Sequence, residues 1–174
     1  MKYILDFDHT LLDTTAFVDV VVRDGRENIL ITPTIWSHYD VRTFLYEDVL
    51  GWLRSKPKDS LYILTAISPE LGPLSTEFQK EKLFSGKFDE FVSGVTFMVG
   101  EKGEMAAEIA SQFPPQEPVV FIDDRLSQCL SVKRHLPQSH CFLMLRDGTM
   151  SQQLPPGVVA VSTLAEVDVI MKGL

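Results

Sequence analysis

Six polar side chains in this sequence are of types and spacing that could carry out one reaction. Asp6 and Asp8 close the apolar run Tyr3–Leu5. Thr65 closes Leu61–Leu64, and Asp123 and Asp124 close Val119–Ile122. Lys102 stands in "VGEKGE", ahead of a helical pattern. Carboxylates gathered this closely repel one another and call for a cation, and an all-oxygen donor set suits a hard ion, Mg²⁺ where a phosphate completes the coordination. A carboxylate can also attack phosphorus and form an aspartyl-phosphate that water then cleaves. A second acid two residues on, Asp8, can protonate the leaving oxygen and afterwards take a proton from the attacking water. Thr65 offers a hydroxyl, and Lys102 a positive charge, to phosphoryl oxygens.

Those residues act together only if the chain brings them to one edge. Short apolar runs alternate with helical patterns, which predicts an α/β protein with a Rossmann-like parallel sheet flanked by helices. In such a sheet, ligands bind beyond the carboxyl ends of the strands. Tyr3–Leu5, Leu61–Leu64, Val119–Ile122, Cys141–Leu145 and Val158–Val161 are the expected strands, with Phe91-Val92 a weaker sixth. Val41, Phe44, Leu45, Val49, Trp52 and Leu53 recur at three- and four-residue spacing and predict one helix ending before Pro57. Helices are also expected over Glu101–Phe113 and Leu126–Leu136, and Thr163-Leu-Ala-Glu166 reads as a capping box opening the last. Val18–Val22 and Ile29–Thr32, rich in β-branched residues, flank a polar segment and are read as a β-hairpin flap over about residues 15–34. A helix over Thr15–Val22 is the competing reading.

The bulk composition bounds the rest. With 174 residues, 45% hydrophobic and 23% charged, the chain fits one globular domain spanning 1–174. A net charge of −8 argues against a broad nucleic-acid-binding or membrane-coating surface. The N-terminal apolar run is too short for a signal peptide and no run approaches the length of a membrane span, so a cytoplasmic location is expected. Cys129 and Cys141 lack metal or redox spacing and read as buried thiols.

At this point the sequence resembles the haloacid dehalogenase-like (HAD) hydrolases. "DFDHTLL" is similar to their first motif, an apolar run followed by D-x-D-x-T, and "LYILTA" to their second, a strand ending in Thr or Ser. Lys102 resembles the third-motif lysine, "FIDD" the fourth-motif acids, and "GKFDEFVSG" the segment that precedes the lysine. The resemblance implies a phosphatase with Asp6 as nucleophile, Asp8 as general acid and base, and Thr65 and Lys102 on the phosphoryl group. It implies Mg²⁺ held by Asp6, the Asp8 carbonyl and Asp123, with Asp124 as direct or outer ligand. His9 stands where many members carry Gly; its backbone N–H could face phosphate and its imidazole the leaving group. Lys80, Lys82 and Lys87 also compete for the lysine role.

There is no room for a substantial cap domain, and the resemblance implies that an open site of this kind goes, as it often does in that family, with large substrates such as phosphoproteins or nucleic-acid ends, or with a lid from another subunit. A phosphotransferase and a catalytically silent binding or scaffolding protein are the alternatives. A receiver-type signalling module is disfavoured because its acid pair ends the first strand and its acceptor Asp a central one. Arg146-Asp-Gly is read as an exposed loop.

Overall fold

The computed structural model describes residues 1–148 and 153–173. Among them, six parallel strands form one sheet: β1 (Lys2–Leu5), β2 (Leu61–Ala66), β3 (Gly94–Met98), β4 (Val119–Asp123), β5 (His140–Met144) and β6 (Val158–Val161), in the order β3-β2-β1-β4-β5-β6. β1 lies between β2 and β4, with Leu5 in register with Ile63 on one side and Ile122 on the other. The order reverses between β1 and β4, and that is where a crevice opens at the carboxyl edge.

The central strands are buried on both faces, as their near-continuous hydrophobicity requires. Tyr3, Leu5, Ile63 and Ile122 point into one core, beneath α1 (Thr14–Arg23), α2 (Val49–Arg54), α3 (Ser75–Ser85) and α6 (Leu164–Lys172). Ile4, Leu64 and Phe121 point into the other, beneath α4 (Gly103–Ala110) and α5 (Leu126–His135). Thr163 caps α6 by accepting from the Glu166 N–H at 3.3 Å, while the Glu166 carboxylate accepts from Ser162 N rather than from the cap residue itself.

Three expectations are corrected. The hairpin over 15–34 is not formed; the competing helix is. The Asp13 carboxylate accepts from Ala16 N at 2.9 Å and starts α1, and Phe17 and Val21, one helical turn apart, fill the core. Asp24-Gly25, in the polar segment between the two β-branched runs, stops this helix. Gly25 takes φ +68°, Arg26 N bonds to Val21 O and Gly25 N to Val22 O, each at 3.0 Å, which is a Schellman stop. A β-branched composition yielded to a good cap and an i, i+4 apolar pair.

The helix expected over residues 41–53 is broken into a 3₁₀ turn, Val41–Phe44, and α2. Phe44 O accepts from Asp13 N at 2.8 Å and Tyr46 N donates to Leu11 O at 3.1 Å, so the loop after β1 takes the hydrogen bonds a continuous helix would need. Phe91-Val92 is not a strand either. Val92 N closes a turn onto Phe88 O, and the strand begins two residues later at Gly94.

Candidate active site

Asp6 continues the β1 ladder, its N–H donating to Ile122 O at 2.9 Å, so its side chain leaves from the residue just beyond the strand's end. The chain then folds back at once: Leu11 and Leu12 N–H both donate to Phe7 O. His9 sits at φ +59°, in the left-handed region where His is tolerated but glycine is at ease. That geometry accounts physically for His9 occupying a glycine-like position. Its N–H is engaged by Leu12 O at 2.8 Å, which corrects the expectation that this group faces phosphate.

Two charged clusters result, one on each side of β1. On the β4 side, Lys102 is buried, and its ammonium bonds to the Asp6 carboxylate and to Asp123 Oδ2, the latter at 2.7 Å. Asp6 Oδ2 also accepts from the Thr10 hydroxyl at 3.1 Å, and Asp123 Oδ1 from Arg125 N at 2.9 Å. Lys102 is itself held by backbone: its N–H donates to Gln128 Oε1 at 2.8 Å, and the next residue, Gly103, donates to Ser131 Oγ at 3.1 Å. Carboxylate oxygens of Asp6, Asp123 and Asp124 lie within 4.8 Å of one another.

Burial, reinforced by the Asp6 charge and opposed by Lys102, pushes the Asp123 carboxyl up to about 7. Asp124 is raised by the same two causes. For Lys102, burial favours the neutral amine, but Asp6 and Asp123 outweigh it and keep the ammonium charged above its usual range. Three converging carboxylates with only one ammonium between them form an oxygen donor set that a hard divalent cation fits.

On the α3 side, Asp8 is bound by a lysine that the sequence left as a spare candidate. Lys82 Nζ contacts the two Asp8 carboxylate oxygens at 2.6 and 2.9 Å. Gln79 donates to Asp8 Oδ2 at 2.7 Å and to the Thr65 hydroxyl at 2.8 Å, and Thr14 donates to Asp8 Oδ1 at 2.8 Å. Burial by itself would raise the Asp8 pKa, but the Lys82 charge and these hydrogen bonds overcome it and hold the group at about 2.

The structure thus brings Asp6, Asp8, His9, Thr65, Lys102 and Asp123 to the lining of one cleft, with Asp124 beside Asp6 and Asp123. Lys80 and Lys87 lie exposed, away from these contacts. Sequence reasoning missed Gln79 and the distinct role of Lys82, and a signal existed: Ser75, Gln79 and Lys82 follow one another at four and three residues, a buried polar stripe on α3. Arg146 is another correction, because it is no exposed loop residue. It donates twice to Thr10 O, at 2.9 and 2.7 Å, and to Asp48 at 2.9 and 3.0 Å, fastening the loop after β1 to the far end of the chain.

A parallel sheet in this order, with acids at the tips of its first and fourth strands and a buried lysine between them, is the haloacid dehalogenase-like fold, here without a large cap. Solved structures of that class superpose on the whole chain. A haloacid dehalogenase-like hydrolase from Burkholderia xenovorans LB400 matches at 17% identity and TM-score 0.70, over 98% of this chain and 96% of that one. A haloacid dehalogenase-like family hydrolase from Xanthomonas campestris matches at 11% and 0.64, over 99% and 95%. A 2-haloacid dehalogenase from Pseudomonas syringae pv. Tomato DC3000 matches at 10% and 0.61, over 99% of both chains. No protein-family model and no curated protein matches the sequence. No helix among the described residues is long and apolar enough to cross a membrane.

Proposed function

We propose that the chain is a Mg²⁺-dependent phosphohydrolase that works through an aspartyl-phosphate on Asp6. The supporting observation is the second acid, Asp8, held in the same cleft as Asp6 by Lys82, Gln79 and Thr14. An ester oxygen leaves as a strong base and needs a proton in the transition state. A halide does not, and a carboxylate beside it would repel the departing anion. The same Asp6 attack on a carbon–halogen bond, which the dehalogenases among the similar structures suggest, therefore leaves Asp8 without a task.

In the first step the Asp6 carboxylate bonds to phosphorus as the ester P–O bond breaks, and the leaving oxygen takes a proton from the Asp8 carboxyl. In the second, the Asp8 carboxylate takes a proton from water, whose oxygen bonds to phosphorus as the Asp6–P bond breaks and phosphate leaves. Asp8 starts ionised. An arriving phosphate dianion competes for Lys82 and adds negative charge nearby, and both raise the Asp8 pKa toward the protonated form that the first step uses. The Thr65 hydroxyl and Lys102 ammonium orient the phosphoryl oxygens. Asp6, Asp123, Asp124 and the Asp8 carbonyl would hold Mg²⁺, which when bound offsets the charge of phosphate and carboxylates.

The test is phosphate release from an aryl phosphate and chloride release from 2-chloropropionate, each with and without Mg²⁺, for the wild type and Asp6→Asn. Mg²⁺-dependent phosphate release lost in Asp6→Asn is expected. Chloride release without phosphate release would refute the reading.

A further inference from the structure

The cleft over these carboxylates is not open on all sides, as a site for large substrates would be. The helix and turns that replace the expected hairpin, together with the segment after β2, raise a wall along one flank. That wall is apolar: Phe17 and Val18 come from α1, Leu30 and Ile31 from the chain that follows it, Leu71 from the turn after β2, and Phe78 from α3. It is also braced. Trp36 stacks on Phe17 with ring centroids 4.6 Å apart and lies 5.4 Å from Phe78, and its indole N–H donates to Phe78 O at 3.3 Å.

The volume of the cleft is about 210 Å³. Drug-sized ligand sites run from roughly 300 to 1,000 Å³, whereas an apolar cavity of about 150 Å³ accepts a benzene ring. Three polar side chains near the wall are already committed. Gln79 bonds to Asp8 and Thr65, Thr14 to Asp8, and Lys82 to Asp8. A sugar, a nucleobase or a peptide backbone placed against Phe17, Leu30 and Phe78 would lose its hydration to apolar carbon.

We infer that the substrate is a small phosphomonoester with an apolar leaving group, an aryl or short branched-alkyl alcohol, seated against Phe17, Leu30, Ile31 and Phe78. This rests on the phosphohydrolase reading, and names which esters that chemistry serves. The phosphoryl end faces the acids of β1 and β4, and the hydrocarbon end faces the insert between β1 and α2. Release then yields an alcohol that is poorly hydrated, so this enzyme sits downstream of a reaction class that phosphorylates hydrophobic alcohols.

The experiment compares kcat/KM, with Mg²⁺ present, for phenyl phosphate, glycerol 3-phosphate and a phosphoserine peptide. Burial of one ring corresponds to a preference of about 30-fold or more for phenyl phosphate. Leu30→Asn is expected to cut that preference several-fold, and so is Leu71→Asn, a substitution at a side chain exposed enough to leave folding intact. Equal or better turnover of glycerol 3-phosphate or the peptide overturns the inference while the phosphatase reading stands. If no phosphate ester is hydrolysed, that reading falls, and calorimetric binding of phenylphosphonate against methylphosphonate decides the nature of the cleft. A preference for the phenyl compound of tenfold or more supports the apolar site, and equal or absent binding of the two overturns it.

Discussion

The two sides of β1 handle buried charge in opposite ways. Toward β4, one ammonium, Lys102, is divided between Asp6 and Asp123, with Asp124 close by, so negative charge is left in excess. Toward α3, one ammonium, Lys82, is matched to one carboxylate, Asp8, and neutral donors satisfy what remains. The first arrangement leaves carboxylate charge that a further cation could balance; the second is balanced alone. Their pKa directions say the same, with Asp123 driven up to about 7 and Asp8 down to about 2. On the proposed phosphohydrolase reading, a metal and a nucleophile on one side and a proton carrier on the other give the site reason to be asymmetric in this way.

Removing Lys102 is the severest way to break the comparison. Lys102→Met leaves Asp6 and Asp123 facing each other with no cation, and loss of one partner from a buried ion pair costs about 3–5 kcal/mol. Denaturant unfolding without metal should register that loss, and phosphate release should fall by more than about 10³-fold because the phosphoryl oxygens lose their cation as well. Mg²⁺ should restore more stability to this variant than to the wild type.

Lys82→Met tests the self-sufficient side. Asp8 keeps its bonds from Gln79 and Thr14 but loses its ion pair, so a smaller penalty of about 1.5–3 kcal/mol is expected in the same unfolding experiment. Its stabilisation by Mg²⁺ should equal that of the wild type, since Asp123 and Asp6 are untouched. A large change in Mg²⁺ response would show that the two sides are one network.

Gly103→Ala sharpens the contrast without touching a charge. A Cβ at Gly103 would meet Ser131 O at 2.5 Å, so α4 and α5 must part, and Lys102 moves with the start of α4. Overpacking of this kind costs about 1–3 kcal/mol. Activity should fall further than the stability loss explains.

The same asymmetry separates what the sequence made legible. Asp6, Thr65, Lys102 and Asp123 each follow an apolar run or open a helix, and a parallel sheet carries every strand end to one edge, so local pattern sufficed to collect them. Lys82 and Gln79 lie inside α3, where only their spacing from Ser75 marks a buried face, and a lysine in a helix reads first as solvated. The hairpin expectation failed for a related reason. Val20–Val22 favours a strand by composition, but the local Asp13 cap and the packing of Phe17 on Trp36 outweigh it, and the second is a tertiary contact that period alone does not reveal. Arg146 escaped because its partners, Thr10 and Asp48, are 136 and 98 residues away.

The smallest effect concerns protons and metal together. The Asp123 pKa is raised from its ordinary carboxylate value to about 7, so between roughly pH 4 and 7 the metal-free folded protein holds a proton that the unfolded chain has lost. Stability from this group is therefore present at low pH and declines as pH rises through that window. Mg²⁺ acts in the opposite sense, because it binds the ionised carboxylate and must displace the proton below pH 7. One pH unit of such competition is worth about 1.4 kcal/mol, so Mg²⁺ should raise the Tm by a few degrees more at pH 8 than at pH 6. Calorimetry at pH 6 should also show proton release on Mg²⁺ binding that disappears by pH 8. Lys82→Met should leave this difference intact and Asp123→Asn should abolish it, which confines the effect to the β4 side of the site.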